Sequence, residues 1–221
     1  MLKPDQKLAI HFFEQIDKLN GKMGHGVLRY SRNPIACAID LNHGGRSTRD
    51  LLDFGPDAPI YSSVESAMSA GGEVLILGMA PSGGRLPSEM VEEVDRAVSA
   101  GMSVINGLHE QLGPRYPDLP EGQWIWDIRQ EPKDLGIAWA RAAKLSNRRA
   151  LLVGTDMAVG KMTAGLEIWH AALRDDVRAD FLATGQIGIL VSGKGVPLDA
   201  IRVDYACGAI EKMVVEAADA D

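Results

Sequence analysis

The sequence predicts an α/β protein: a parallel sheet with helices on its faces, followed by a second α/β domain that opens on a phosphate-binding loop. Three observations predict it. Strand-sized apolar runs alternate with segments of helical periodicity as far as Ile128. Glycine-rich turns follow several of those runs, as βα turns do. Finally, Ala150-Leu151-Leu152-Val153 leads straight into Gly154-Thr155-Asp156-Met157-Ala158-Val159-Gly160-Lys161-Met162-Thr163 and then a helical segment. Strand, glycine loop, lysine and helix in that order are the layout of a P-loop.

Leu8, Phe12, Phe13, Ile16 and Leu19 recur at three- and four-residue spacing, which predicts a helix from Asp5 to Leu19. Gly21, Gly24 and Gly26 break the chain, and Val27 to Tyr30 reads as a short strand. Ile35 to Ile39 is a second, leading into Asp40. A loop from Leu41 to Gly45 and a short helix after Ser47 come next, then a weak strand at Ile60-Tyr61. Ser62-Ser63-Val64-Glu65 is a capping box and starts a helix that ends at Gly71-Gly72. Glu73 to Leu77 is a buried strand. Pro87 suits the first turn of the next helix, whose stripe is Val91, Val94 and Val98, with Glu89, Glu92 and Glu93 near its positive end. Met102 to Ile105 and Trp124 to Ile128 follow as strands, the latter at an edge.

Ala138 to Asn147 reads as a helical or linking segment, and the domain boundary is placed near Ser146. Beyond it come a helix from Lys161 to Leu173, a strand from Phe181 to Ala183 and a helix from Asp204 to Ala217. The roughly 75 residues after Ser146 fall short of a typical domain of ~100–150, so the P-loop domain is expected to be incomplete in this chain.

Composition bounds the function. The 221 residues are 46% hydrophobic and 24% charged, with a formal net charge of −7, which argues against bulk binding of nucleic acid or an anionic membrane surface. Any phosphate affinity must then be local. The 24 glycines and 5% aromatics suit a turn-rich enzyme better than a base-stacking platform. Cys37 and Cys207 lack metal-ligand spacing and read as small buried hydrophobes in a reducing cytoplasm. No metal site is expected. A small-molecule substrate and a homo-oligomer are.

The phosphate loop has the residue types its task needs. Glycines let the backbone turn its N–H groups inward, a helix start is positive, and the lysine adds a full charge. Its spacing departs from the common pattern. Five residues separate Gly154 from Gly160, and Met162 follows Lys161, so the hydroxyl of Thr163 comes one place late for the usual Mg²⁺ ligand. Thr184-Gly185-Gln186 follows a predicted strand and would face the same crevice. Lys194, in Ser192-Gly193-Lys194-Gly195, is either a further cation for that crevice or a solvated loop lysine.

Other constellations lie in the first domain. Gly78-Met79-Ala80-Pro81-Ser82-Gly83-Gly84-Arg85 is a second candidate anion-binding turn. Gly21-Lys22-Met23-Gly24-His25-Gly26 precedes a predicted strand and, like the first, lacks the dinucleotide fingerprint. Asp40, His43 and Arg46 cluster after a strand: Asp40 suits a hydroxyl or amine and Arg46 a carboxylate, or they are a helix cap and a surface arginine. His109, in Gly107-Leu108-His109-Glu110, is a candidate general base or a packed loop histidine. Asp127 and Arg129 read as an ion pair.

The loop Gly-Thr-Asp-x-x-Val-Gly-Lys is similar to that of dethiobiotin synthetase. Taken with Gly26 to Tyr30, Gly78 to Pro87, Gly107 to Glu110, Ile125 to Arg129 and Ala183 to Gly188, it resembles a bacterial and archaeal family long catalogued as a domain of unknown function. The likeness spans nearly the whole chain. It implies a Rossmann-like N-terminal domain and a P-loop C-terminal domain that continues past Asp221. One branch of that family is a D-amino-acid N-acetyltransferase that acetylates D-glutamate from acetyl-CoA. On that reading Gly154, Thr155, Gly160, Lys161, Thr163, Gly185 and Gln186 would hold the coenzyme. Asp40, Arg46, Gly83, Gly84 and Arg85 would hold the substrate. Lys161 would take part in catalysis, with Asp156 and His109 as base candidates on their chemistry alone. The alternatives are an ATP- and Mg²⁺-dependent ligase or kinase on a small carboxylate, and a nucleotide- or CoA-binding module without catalysis.

Overall fold

The structure is a computed structural model that describes residues 2–81, 85–156 and 159–220. It divides into two compact units, 1–129 and 130–221.

The first unit is a six-stranded parallel sheet. In chain order its elements are β1 (Leu8–Phe13), α1 (Lys22–Tyr30), β2 (Ile35–Asp40), β3 (Ile60–Tyr61), α2 (Val64–Ser69), β4 (Val74–Leu77), α3 (Ser88–Ser99), β5 (Ser103–Asn106) and β6 (Ile125–Asp127). The spatial order is β3-β2-β1-β4-β5-β6. Ile10 pairs with Ala38 on one side and Ile76 on the other, and Ile105 with Trp126. The chain winds outward from β1 to β3, then crosses back to β4 and winds the other way. The C-terminal ends of β1 and β4 therefore flank a topological switch point, where ligands of such sheets bind. Leu8, Ile10, Leu75, Ile76 and Leu77 are fully buried, as expected of central strands covered on both faces.

Two elements differ from the sequence reading. The expected helix from Asp5 to Leu19 is the central strand β1 and its loop. Leu8 to Phe13 is short, apolar and flanked by strands on both sides, and Leu19, the last residue of the supposed stripe, is 93% exposed. The expected strand Val27–Tyr30 is the end of α1. Gly24 does not break that helix. A Cβ there would collide with the Phe12 ring, and the Gly24 N–H donates to the Gly78 carbonyl at 2.7 Å. The glycine thus serves close packing of α1 on the sheet. In α3 the buried residues are Met90, Glu93, Val94 and Ala97, and Pro87 is the N-cap residue. Ser63 caps α2, its hydroxyl accepting from the Ser66 N–H. Cys37 is buried, which pushes its thiol up to about 12, whereas Cys207 is exposed, contrary to expectation.

The second unit contains α4 (Lys161–Arg174), α5 (Gln186–Ser192) and α6 (Val203–Glu216). The expected strands Ala150–Val153 and Phe181–Ala183 form no ladder among the described residues; Ala183 makes one parallel bridge to Gly195. Ala138 to Asn147 carries a 3-10 turn at Arg141–Lys144 and is tied to α6. Glu211 accepts from the backbone N–H of Trp139 at 2.8 Å and of Arg141 at 2.5 Å, and from Arg141 Nε at 3.1 Å. Those donors hold its carboxyl below the usual range. Val196, Ile201, Ala209 and Met213 form a small core, and Trp169 packs its ring 6.0 Å from that of Phe181. Among the described residues no helix is long and apolar enough to cross a membrane.

Candidate functional site

The candidate residues fall in two regions, one in each unit. In the second, the chain runs from Gly154 through the phosphate loop into α4. Gly160 is the N-cap residue with φ +91°, a left-handed conformation that favours glycine. A Cβ at Gly154 would lie 2.9 Å from Val159 Cγ2 and 3.0 Å from the Lys161 stem. The loop therefore folds back on itself around a bare backbone. The Lys161 ammonium donates to the Asp156 carbonyl, which holds it over the loop. Lys161, Met162 and Thr163 form the first turn of α4, where no acidic residue opposes an anion. Gly154, Thr155 and Asp156 thus precede the start of α4, where Gly160, Lys161 and Thr163 lie. Met157 and Ala158 lie outside the described residues.

The remaining candidates of this unit fall elsewhere on it. Gly185 is the N-cap residue of α5 and Gln186 its first residue. Lys194 donates to Asp180 Oδ2 at 2.6 Å, so it is part of an ion pair. A cleft of about 320 Å³ is lined by Leu135, Leu182, Val196 and Met213 among others, and no described residue of the phosphate loop borders it. A polyanion cradle is made by backbone N–H groups on an open turn, so depth is a poor marker of it.

In the first unit the loops after the strands gather along the C-terminal edge of the sheet. Asp40, the last residue of β2, is completely buried. Its Oδ2 accepts from the Ile16 N–H at 3.1 Å, while Oδ1 accepts from the Asn42 N–H at 3.1 Å and lies 2.8 Å from His43 Nδ1. The carboxylate is occupied by the protein and orients His43. His43 Nε2 lies 3.7 Å from Asp17 Oδ2. Sequence reasoning grouped His43 with Asp40 but assigned it no role; the signal was an Asp-x-x-His at the end of a strand.

Farther along the edge, Asn106 Nδ2 donates to Asp127 Oδ1 at 2.7 Å, and Asp127 also accepts from the Leu112 and Gly113 N–H groups at 2.9 and 2.8 Å. Asp127 therefore braces the β5 and β6 loops. Arg129 Nη1 donates to His109 Nε2 on the exposed surface. The Leu86 N–H donates to Glu110 Oε2 at 3.1 Å, which ties the loop after β4 to the loop after β5. Arg85 is exposed beside it. Arg46 is exposed and donates to the Asp50 carbonyl at 3.2 Å. Gly83 and Gly84 lie outside the described residues. Gly21 to Gly26 leads into and through α1 rather than into a strand.

A doubly wound parallel sheet followed by a glycine-lysine loop at a helix start defines the class: an α/β protein that joins a Rossmann-like domain to a P-loop domain. The comparisons agree. Residues 41–131 match the Rossmann-like domain described as "Domain of unknown function (DUF1611_N)", and residues 136–221 match the P-loop domain described as "Domain of unknown function (DUF1611_C)". The chain belongs to the DUF1611 family.

It is 33% identical over 221 residues to a protein of Pseudoalteromonas sp named D-glutamate N-acetyltransferase, covering 98% of this chain and 62% of that protein. A protein of the same name from Tritonibacter scottomollicae is 36% identical over 154 residues, covering 67% of this chain and 45% of that one. The crystal structure of a DUF1611 family protein from Anabaena variabilis superposes with a TM-score of 0.92 at 44% identity, over 98% of this chain and 64% of that one. The chain thus spans less than two thirds of the length of each of these relatives.

Proposed function

We propose that this chain contributes the amino-acid edge and the phosphate loop of an N-acetyltransferase that moves an acetyl group from acetyl-CoA to the amino group of D-glutamate. The observation that carries the reading is the likeness, along 98% of the chain, to a protein named D-glutamate N-acetyltransferase. The loop supports it. Its bare backbone at Gly154, left-handed Gly160 and Lys161 ammonium suit the phosphates of a coenzyme. When bound, acetyl-CoA supplies an activated thioester.

The chain's own residues have separate tasks in this reading. Gly154, Gly160 and the first turn of α4 offer N–H groups to phosphate oxygens, and Lys161 exchanges its carbonyl partner for one of them. On the sheet edge, Arg85, Arg129 and His109 supply positive or donor groups suited to substrate carboxylates. The amino group must arrive as, or become, a neutral amine, because only the nitrogen lone pair attacks a carbonyl carbon.

The test supplies the protein with D-glutamate and either acetyl-CoA or Mg-ATP and follows free thiol and ADP. Thiol release that requires D-glutamate is the expected result. ADP formation would replace the reading with an ATP-dependent ligase or kinase, and tight binding of either nucleotide without turnover would leave a binding module. Lys161→Ala is expected to weaken binding of CoA at least tenfold by calorimetry, a loss of about 1.4 kcal/mol. Unchanged affinity would remove the loop from the mechanism.

A further inference from the structure

We propose that Asp17 and His43, both positioned by Asp40, form a primary-ammonium subsite in which Asp17 holds the amino group of the substrate and His43 Nε2 removes its proton. The proposal deepens the acetyltransferase reading and rests on it for the identity of the amino acid.

One carboxylate organises the pair. Asp40 is fully buried, and its two oxygens take three protein donors. Through Oδ1 it receives His43 Nδ1, so the proton of the neutral ring lies on Nδ1 and the lone pair on Nε2. Through Oδ2 it receives the N–H of Ile16, the residue before Asp17. The carbonyl of Ile16 lies 2.6 Å from His25 Nε2, and the Ile16 side chain is completely buried. Ile16, the residue before Asp17, is thus held at both its N–H and its carbonyl. The loop turns there because Phe13, at the tip of β1, takes φ +69°, the kind of backbone strain that concentrates at functional sites.

The outcome is two acceptors with different roles. His43 Nε2 and Asp17 Oδ2 stand 3.7 Å apart, too far for a hydrogen bond to each other. One nitrogen can lie within ~2.8–3.0 Å of both. An ammonium meets that need: it donates one N–H to the Asp17 carboxylate and another to Nε2. The proton transfer is complete in itself. The substrate N–H bond breaks, its electron pair stays on nitrogen, and the proton bonds to Nε2, leaving an imidazolium between the Asp40 and Asp17 carboxylates. The His43 side chain is 17% exposed and that of Asp17 44%, so a small molecule reaches them. His109, the histidine singled out from sequence, is less suited, because its Nε2 already accepts from the Arg129 guanidinium.

The test has two arms on the protein. The first compares binding of D-glutamate and of glutarate, which lacks the amine, by calorimetry. The protein is expected to prefer D-glutamate, and Asp17→Asn to weaken D-glutamate at least tenfold while leaving glutarate unchanged. The second measures thiol release. His43→Gln is expected to lower kcat by a factor of ~10²–10⁴, the usual contribution of a general base, with KM within about threefold. Asp40→Asn is expected to lower kcat and to shift the His43 ring away from the Nδ1–H tautomer in ¹⁵N spectra. If the protein releases no thiol but the amine preference depends on Asp17, the acetyltransferase reading fails and the subsite stands. A D-glutamate to glutarate ratio unaffected by Asp17→Asn, or a His43→Gln kcat within threefold of the parent, overturns the proposal. Absence of D-glutamate binding overturns it and the reading together.

Discussion

Val74-Leu75-Ile76-Leu77 and Ala150-Leu151-Leu152-Val153 are close to interchangeable as sequence, and both lead into a glycine. The first is β4, fully buried, with β1 and β5 on its two sides. The second forms no ladder among the described residues; Leu151 is 87% and Val153 77% exposed. The apolar run is common to both, so it does not explain the difference. Every strand residue carries an N–H and a C=O that must be paired, and β4 has neighbours on both edges while residues 150–153 have none among the described residues. An apolar run predicts a strand only as far as its partners exist.

The comparison breaks most readily at the core. Leu77→Ala or Ile76→Ala is expected to cost about 2–5 kcal/mol in urea unfolding, as for other large-to-small changes in a packed core. The corresponding Leu151→Ala is expected to stay within ~0.5 kcal/mol, as for a surface change. Equal costs would show that residues 150–153 are packed in solution. Next in size is Asp127→Ala. It strips Asn106, Leu112 and Gly113 of their acceptor, and a buried donor left unpaired costs about 1–3 kcal/mol. The loss should appear in the unfolding of the first unit while leaving the proposed binding of CoA at Lys161 intact.

Acid sharpens the same contrast. Glu93 on α3 is held below its ordinary 4.5 chiefly by His11, 3.7 Å away, with help from Arg96. A carboxyl depressed in the folded state contributes stability that is present above pH 4.5 and lost as pH falls through its lower folded value. Glu93→Gln should therefore flatten the fall in unfolding midpoint of the first unit below about pH 4.5. Glu211 in the second unit is depressed too, but by backbone donors, so its contribution should fade over the same acid range without any histidine. An acid response unchanged by Glu93→Gln would dismiss the His11 contact. The smallest effect is expected for Val153→Ser, which should move neither the unfolding midpoint nor phosphate binding.

The two units were not equally legible. In the first, β2, β4, β5 and β6, together with α2 and α3, follow from apolar runs bounded by turn residues and a cap at Ser63. What misled was periodicity in a short run: Leu8, Phe12 and Phe13 fit a helix as well as a strand until the flanking strands decide. The choice among candidate bases is open in the sequence for a similar reason. A histidine's value depends on what its two nitrogens meet, and neither the Arg129 contact of His109 nor the Asp40 contact of His43 is a matter of sequence spacing alone. Ile16, which carries Asp17, is distant in sequence from Asp40 and could not be linked to it in advance.

The sequence by itself determined the phosphate loop, because Gly154, Gly160 and Lys161 act through local backbone geometry that their own side chains, or lack of them, dictate. It also determined the parallel αβ alternation, since strand and helix periods are local properties. Tertiary structure decided which apolar runs became strands and which polar residues met at the sheet edge. Strand pairing and the Asp40 contacts join residues far apart in the chain, and only folding brings those partners within hydrogen-bonding reach.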